Sequence, residues 1–125
     1  MITGIVSARR EAVLPVVLYD VNGHAQSLNA IVDTGFDDWI SLPSAMIVAL
    51  GLSLSRSGSG VLADGSTAVF DIYEAKIDWD GHVRTVSIYE MNSDPLVGMS
   101  LMYGYELFLP ILDGATFTLR RIANP

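Results

Sequence analysis

The stretch from Ala30 to Pro43, AIVDTGFDDWISLP, places carboxylates inside a segment that otherwise has the composition of a protein core. Two β-branched residues lead into Asp33, and Thr34 and Gly35 follow it. A carboxylate that leaves an apolar strand at a glycine-containing turn can be held rigidly and partly desolvated, and this is how catalytic pKa values are shifted. The pattern predicts a functional carboxylate at Asp33, with an ordinary turn acid as the alternative.

The composition limits the partners of the chain. Its 125 residues are 50% apolar and 17% charged, with a formal net charge of −7. Nucleic acid and anionic membrane surfaces are not expected partners, because binding to either requires clustered positive charge and the only basic pairs are Arg9-Arg10 and Arg120-Arg121. The high apolar content instead predicts surface that is buried against a second subunit.

No cofactor or metal is expected either. The chain has no cysteine, which removes thiolate ligands, and its acids do not follow the spacing of a calcium-binding loop. The first residues lack the basic start and apolar stretch of a signal peptide, and no apolar run approaches the length of a membrane span. These features predict a cytoplasmic protein that forms a single domain over residues 1–125.

Turn signals divide the chain into hairpins. An Asn-Gly or Asp-Gly pair favours the type I′ turn that joins two antiparallel strands. Such pairs stand between strand-like segments at residues 22–23, 64–65, 80–81 and 113–114. The strands predicted around the first, third and last pairs cover residues 12–20 and 25–33, 69–79 and 82–90, and 105–112 and 115–121.

Helical signals are few. A helix is predicted over residues 44–52, with Ser44 as its cap and Gly51 as its end, and a second, shorter one within residues 99–107. The polar, glycine-rich segment 53–60 is predicted to be a mobile loop. Residues 19–35 and residues 78–98 form a weak internal repeat. Each segment has a strand, an Asx-Gly-His turn, a second strand and an apolar run that ends in glycine. The repeat predicts a fold of two similar halves.

The segment around Asp33 resembles the active-site loop of the single-domain, retropepsin-like aspartic proteases, of cellular or bacterial type. Two further segments resemble the same family in order along the chain. GVLADGSTAVFD, residues 60–71, is similar to its flap hairpin, and DPLVGMSLM, residues 94–102, is similar to its second signature. The resemblance covers about Ala12 to Leu119. It implies a mainly β, retropepsin-like acid-protease fold with closed, barrel-like antiparallel sheets, a flap hairpin and one or two short helices.

The resemblance also implies a mechanism. Members of this family hydrolyse peptide bonds with two aspartates that share one proton and activate a water molecule. This chain carries one Asp-Thr-Gly, and the matching place in its second half, residues 96–98, lacks an acid. The resemblance therefore implies a homodimer in which Asp33 of each subunit contributes to one dyad. The C-terminal segments, residues 106–112 and 115–125, are the predicted interdigitating dimer strands.

Further site residues follow from the resemblance by position. Thr34 is expected to brace the active-site loops across the dimer, and Gly35 to let water and a peptide or protein substrate come close. The paired acids Asp37 and Asp38 are expected to shape the substrate cleft. The flap tip and the glycine of the second signature complete the expected substrate-binding set, namely Ala63, Asp64, Gly65, Ser66 and Gly98.

One departure from the family bears on the acids. Retroviral members carry arginine after the second glycine, where this chain has Met99, so the arginine that would pair with Asp37 is missing unless Arg9 or Arg10 replaces it. A fold can also be kept while its chemistry is lost. One alternative to a homodimeric aspartic endopeptidase is therefore a dimeric binding module with little or no peptidase activity, and another is a highly selective processing enzyme that ignores generic substrates.

Overall fold

The computed structural model describes residues 1–123, which contain ten strands and two short helices. The strands are β1 (Ile2–Val6), β2 (Ala12–Tyr19), β3 (Ala25–Val32), β4 (Ile40–Leu42), β5 (Leu54–Val61), β6 (Thr67–Trp79), β7 (His82–Glu90), β8 (Leu96–Val97), β9 (Tyr105–Phe108) and β10 (Thr116–Arg121). The helices are α1 (Ser44–Leu50) and α2 (Met99–Met102). Within residues 1–123, neither helix has the length and apolar character needed to cross a membrane.

The strands close into a barrel. Neighbouring strands follow the order β5-β6-β7-β4-β8-β3-β2-β1-β10-β9, and β6 pairs in addition with β2. This extra pairing, with Leu18 opposite Ile77, joins the six strands from β6 to β2 into a closed circuit. The predicted mainly β, barrel-like fold is confirmed. The expectation of antiparallel sheets is wrong for two pairs, because β3 with β8 and β4 with β7 run parallel.

The predicted hairpins form. β2 pairs with β3, β5 with β6, β6 with β7, and β9 with β10, all antiparallel. The glycine of each Asx-Gly pair has a positive φ, between 77° and 86°, which few other residues adopt without strain. The last hairpin is shorter than predicted, because β9 ends at Phe108 and Pro110, which has no amide N–H, cannot extend the ladder.

The segment 53–60, predicted to be a mobile loop, lies almost entirely in β5. This strand pairs along its length with β6. Its glycines make room for large side chains of the opposite strand: a Cβ at Gly58 would lie 2.8 Å from Cδ1 of Ile72, and one at Gly60 would lie 3.1 Å from Cε2 of Phe70. The loop prediction is wrong because pairing with β6 overrides the low strand tendency of glycine and serine.

Both predicted helices form, although the cap of α1 and the length of α2 differ from the prediction. α1 ends at Gly51, which has a φ of 67°, as predicted. Its N-terminal cap is Pro43, and the hydroxyl of Ser44 donates to Glu90 Oε2 at 2.6 Å instead of capping the helix. α2 covers four residues, and the chain turns away at Gly104, which has a φ of 88°.

The two halves of the chain are built alike, as the internal repeat predicts, and they also interlock. In each half, two strands of a hairpin and one short strand precede a helix. The short strand of each half pairs in parallel with a hairpin strand of the other half, β4 with β7 and β8 with β3. The core of fully buried apolar side chains fills the space between them and includes Leu14, Leu18, Ile40, Leu42, Ile77, Ile88, Val97, Leu101, Phe117 and Leu119.

The C-terminal strand already has partners on both edges. β10 pairs with β1 on one side and with β9 on the other. The interdigitating role predicted for residues 115–125 is therefore wrong for β10, because it has no free edge to offer; Asn124 and Pro125 lie outside the described residues. β9 is the last strand of the sheet, so one edge of Tyr105–Phe108 has no strand partner within residues 1–123.

Candidate active site

Asp33 directly follows β3 and is held by three hydrogen bonds. Its amide donates to the carbonyl oxygen of Val97 at 3.0 Å, and its own carbonyl oxygen accepts from the amide of Phe36 at 3.1 Å. Its carboxylate Oδ1 accepts from the amide of Gly35 at 2.9 Å. The side chain is half-buried, so this carboxylate is fixed in orientation and still reachable from solvent.

The two residues after Asp33 are both exposed. A Cβ at Gly35 would lie 3.2 Å from Asp33 Oδ1, which is tighter than an ordinary contact, so glycine suits the close approach of its amide to the carboxylate. Within residues 1–123, the hydroxyl of Thr34 forms no hydrogen bond. Both residues therefore face outward from the single chain at the predicted catalytic position.

Gly98 lies buried directly beneath the loop of residues 33–39. Its amide donates to the carbonyl oxygen of Trp39 at 2.9 Å. A Cβ at this position would collide with the carbonyl oxygen of Asp38 and would lie 2.7 Å from Cδ2 of Phe36. The residue expected to bind substrate is thus placed under the candidate loop, where it supports the loop from below.

The first turn of α2 holds the paired acids through their backbone. The amide of Ser100 donates to the carbonyl oxygens of Asp37 and Asp38, each at 3.1 Å, and its hydroxyl donates to the carbonyl oxygen of Asp37 at 2.5 Å. Within residues 1–123 the Asp37 carboxylate forms no salt bridge, so neither Arg9 nor Arg10 replaces the missing arginine in the single chain. Ser100, which the sequence reasoning did not single out, positions this part of the loop.

The tip of the β5–β6 hairpin is a compact, exposed turn. The amide of Leu62 donates to the carbonyl oxygen of Ser66 at 2.7 Å. The hydroxyl and the amide of Ser66 donate to Asp64 Oδ1 at 2.6 Å and 2.9 Å, and these bonds lower the pKa of Asp64. The four predicted tip residues, Ala63, Asp64, Gly65 and Ser66, are all exposed and lie together.

Three aromatic rings connect the candidate loop to this hairpin. The Phe36 ring packs edge-on against Tyr89 with centroids 5.9 Å apart, and Tyr89 packs against Phe70 of β6 at 6.5 Å. Burial, followed by a hydrogen bond to Asp38, raises the pKa of the Tyr89 hydroxyl. The sequence reasoning missed this cluster, because Tyr89 reaches the loop through the pairing of β7 with β4 and reaches Phe70 through the pairing of β7 with β6.

A pocket of about 360 Å³ adjoins the candidate loop and is lined by Asp37, Trp39, Met99, Ser100 and Tyr103. A wider cavity of about 880 Å³ lies elsewhere, between the β2–β3 turn and the start of β5, and contains none of the predicted site residues. In the part of the chain that the structure describes, no three His, Cys, Asp or Glu side chains are grouped closely enough to hold a metal ion.

No family model and no curated protein sequence matches the chain. The solved structures that are similar to it include two proteases. One is a retropepsin-like aspartic protease from Rickettsia conorii, with 17% sequence identity, a TM-score of 0.56, and coverage of 97% of this chain and 92% of the other. The second is the EIAV protease in complex with the inhibitor HBY-793, with 17% identity, a TM-score of 0.52, and coverage of 76% and 88%.

These similarities concern the fold. Both structures are proteases of the predicted fold, one bacterial and one viral, and the expectation of a cellular or bacterial relative stays a prediction. The match to the Rickettsia protein extends over nearly the whole of both chains. The chain has the retropepsin-like fold.

Proposed function

We propose that this protein is a homodimeric aspartic endopeptidase in which Asp33 of each subunit contributes to one water-activating dyad. The observation that carries the proposal is the fixed, half-buried carboxylate of Asp33. Its amide donates a hydrogen bond to the carbonyl oxygen of Val97, in the other half of the chain, and its Oδ1 accepts a hydrogen bond from the amide of Gly35. A catalytic acid needs this combination of a rigid position and access to solvent.

The chemistry requires two such carboxylates side by side. Because like charges repel at short distance, the pair retains one proton over a range of pH in which a single carboxyl group would have lost it. The ionised carboxylate takes a proton from the water molecule as the water oxygen attacks the peptide carbonyl carbon. The protonated partner carboxyl group donates its proton to the carbonyl oxygen. Transfer of a proton to the amide nitrogen then allows the C–N bond to break.

A single chain holds one Asp33, so the proposal needs a second copy. The free edge of β9 offers unpaired backbone groups to another strand. Large apolar side chains lie exposed on and around this C-terminal hairpin: Phe108, Ile111, Leu112 and Ile122. An apolar patch beside a free strand edge is typical of a surface that is buried in an obligate dimer. We therefore assign the dimer interface to the β9 edge.

The β5–β6 hairpin is proposed to act as the flap. An extended peptide that lies between this hairpin and the loop of Asp33 can form strand-like hydrogen bonds with the exposed tip, Ala63 to Ser66. Closing the hairpin over the peptide excludes water from the dyad. Asp37 and Asp38 would then border the cleft on the side of the loop.

Cleavage of a diverse peptide library, from acid to neutral pH, tests the proposal. Wild type and the matched variant Asp20→Asn, in the β2–β3 turn at the end of β3 opposite to Asp33, are expected to cleave, whereas Asp33→Asn is expected to be inactive. Equal cleavage by Asp33→Asn and wild type would contradict the assignment. If no protein cleaves but the library contains peptides that bind, the chain is a binding module with this fold.

A further inference from the structure

We propose that Phe36, Tyr89 and Phe70 form one wall of the substrate cleft, and that the ring of Phe36 restricts the peptide side chain beside it to small residues. These three rings are called the aromatic wall below. The inference rests on the proposed function for the nature of the ligand, an extended peptide, and adds the side-chain class that the cleft accepts.

The aromatic wall stands apart from the hydrophobic core. Neither the buried core of residues 1–123 nor the partly buried side chains packed against it include any of the three rings. Each ring is half-buried, so part of each remains open to solvent. Aromatic rings that pack on one another without joining the core are typical of the lining of a ligand site.

The position of the aromatic wall places it along the path of a peptide. Phe36 lies three residues after Asp33, whereas Phe70 lies on β6 of the hairpin proposed to close over the peptide. Tyr89 of β7 touches both rings and therefore bridges the loop and the hairpin. A peptide held between Asp33 and this hairpin must pass beside the three rings.

The aromatic wall is also rigid. The amide of Phe36 donates to Asp33 and its carbonyl oxygen accepts from Met99 at 2.8 Å, so the backbone is fixed on both sides. The Phe36 ring lies against Gly98, where there is no room for a Cβ. Tyr89 is fixed within β7, which is paired on both edges. A rigid ring cannot move aside for a large peptide side chain, so it selects small ones.

The experiment compares side-chain preference with and without the Phe36 ring. Side-chain preference in cleavage of the peptide library is measured for wild type and for Phe36→Ala. Side-chain preference in binding to the same peptides is measured for Asp33→Asn and for the double variant Asp33→Asn with Phe36→Ala. Removing the ring is expected to raise the preference for large over small side chains about tenfold or more at one peptide position. Phe36→Leu should give an intermediate shift, and Val48→Ala, on the exposed face of α1, should give none.

The outcomes separate this inference from the proposed function. Unchanged profiles for Phe36→Ala and Phe36→Leu, or an equal loss at every peptide position, would overturn the aromatic wall as a specificity element while leaving hydrolysis in place. A shift in the binding profile without cleavage by any protein would support the aromatic wall and reject the proposed hydrolysis. Absence of both binding and cleavage would reject both.

Discussion

The amide of Asp33 donates to the carbonyl oxygen of Val97 at 3.0 Å, so the candidate catalytic residue of the first half is anchored on the second half. Val97 belongs to β8, which runs parallel to β3 with Val32 opposite Val97. The next residue, Gly98, supports the loop from below. Side-chain changes in the segment 96–98 should therefore act on Asp33 through the backbone that anchors it.

Gly98→Ala tests this coupling. The added methyl group would collide with the Asp38 carbonyl oxygen, so we expect a loss of about 2 kcal/mol of unfolding free energy and a strong loss of peptidase activity. Gly23→Ala, in the β2–β3 turn, is the control: its φ is 82° but nothing lies within 4 Å of the new Cβ, so it should cost only the backbone strain, about 1 kcal/mol. Urea unfolding measures both, and equal costs would contradict the packing role of Gly98.

Two serines are expected to respond differently to the loss of the hydroxyl group. Ser100→Ala removes the hydroxyl that holds the Asp37 carbonyl oxygen and should destabilise the protein by about 1 kcal/mol. The hydroxyl of Ser41 is buried without a hydrogen-bond partner within residues 1–123, so Ser41→Ala should be neutral or stabilising. Thermal and urea unfolding compare the two variants. A larger loss for Ser41→Ala than for Ser100→Ala would contradict these assignments.

Phe108→Lys should weaken the dimer. Phe108 is 65% exposed in the single chain and lies on β9, the proposed interface, where a buried lysine would lose its hydration. We expect the dimer dissociation constant to rise about tenfold or more, with activity falling in parallel at low protein concentration. Val48→Lys, which changes a residue 78% exposed on α1, is the matched control and should leave the dimer intact. Sedimentation velocity over a concentration series makes the comparison; equal dissociation constants would place the interface elsewhere.

Glu90 should stabilise the fold in a pH-dependent way. Hydrogen bonds from Ser44 and Tyr73 lower its pKa below the ordinary value of 4.5. Since the folded state favours the ionised form, this stabilisation is present above pH 4.5 and is lost as the pH falls through the lowered pKa. Glu90→Gln should therefore be less stable than wild type at neutral pH, and the difference should shrink in acid. A difference that grows as the pH falls would contradict this sign.

Much of the fold could be predicted from the sequence because its signals are local. Each Asx-Gly pair demands a positive φ that fixes a turn, and Gly51 ends α1 for the same reason. The strand β5 could not be predicted, because Gly58 and Gly60 are suited to it only once Ile72 and Phe70 lie across them. Pairing between distant segments overrides local preference in such a case.

The candidate site was predictable in part. The motif at Asp33 marks its own loop, but the residues that hold the loop come from elsewhere in the chain. Ser100 and Tyr89 carry no motif, and their roles follow from the parallel pairing of the two halves. The predicted capping role of Ser44 is wrong for a similar reason, because its hydroxyl donates a hydrogen bond to Glu90 of β7 instead.

Subunit mixing tests the central claim, that two Asp33 carboxylates build one active site. Wild type is exchanged with increasing amounts of Asp33→Asn at constant total protein, and peptidase activity is measured. If both carboxylates are needed, an equal mixture retains about one quarter of the activity of pure wild type, since one quarter of random dimers carry two wild-type subunits. Retention of one half would mean that each subunit works alone, which would contradict the dyad.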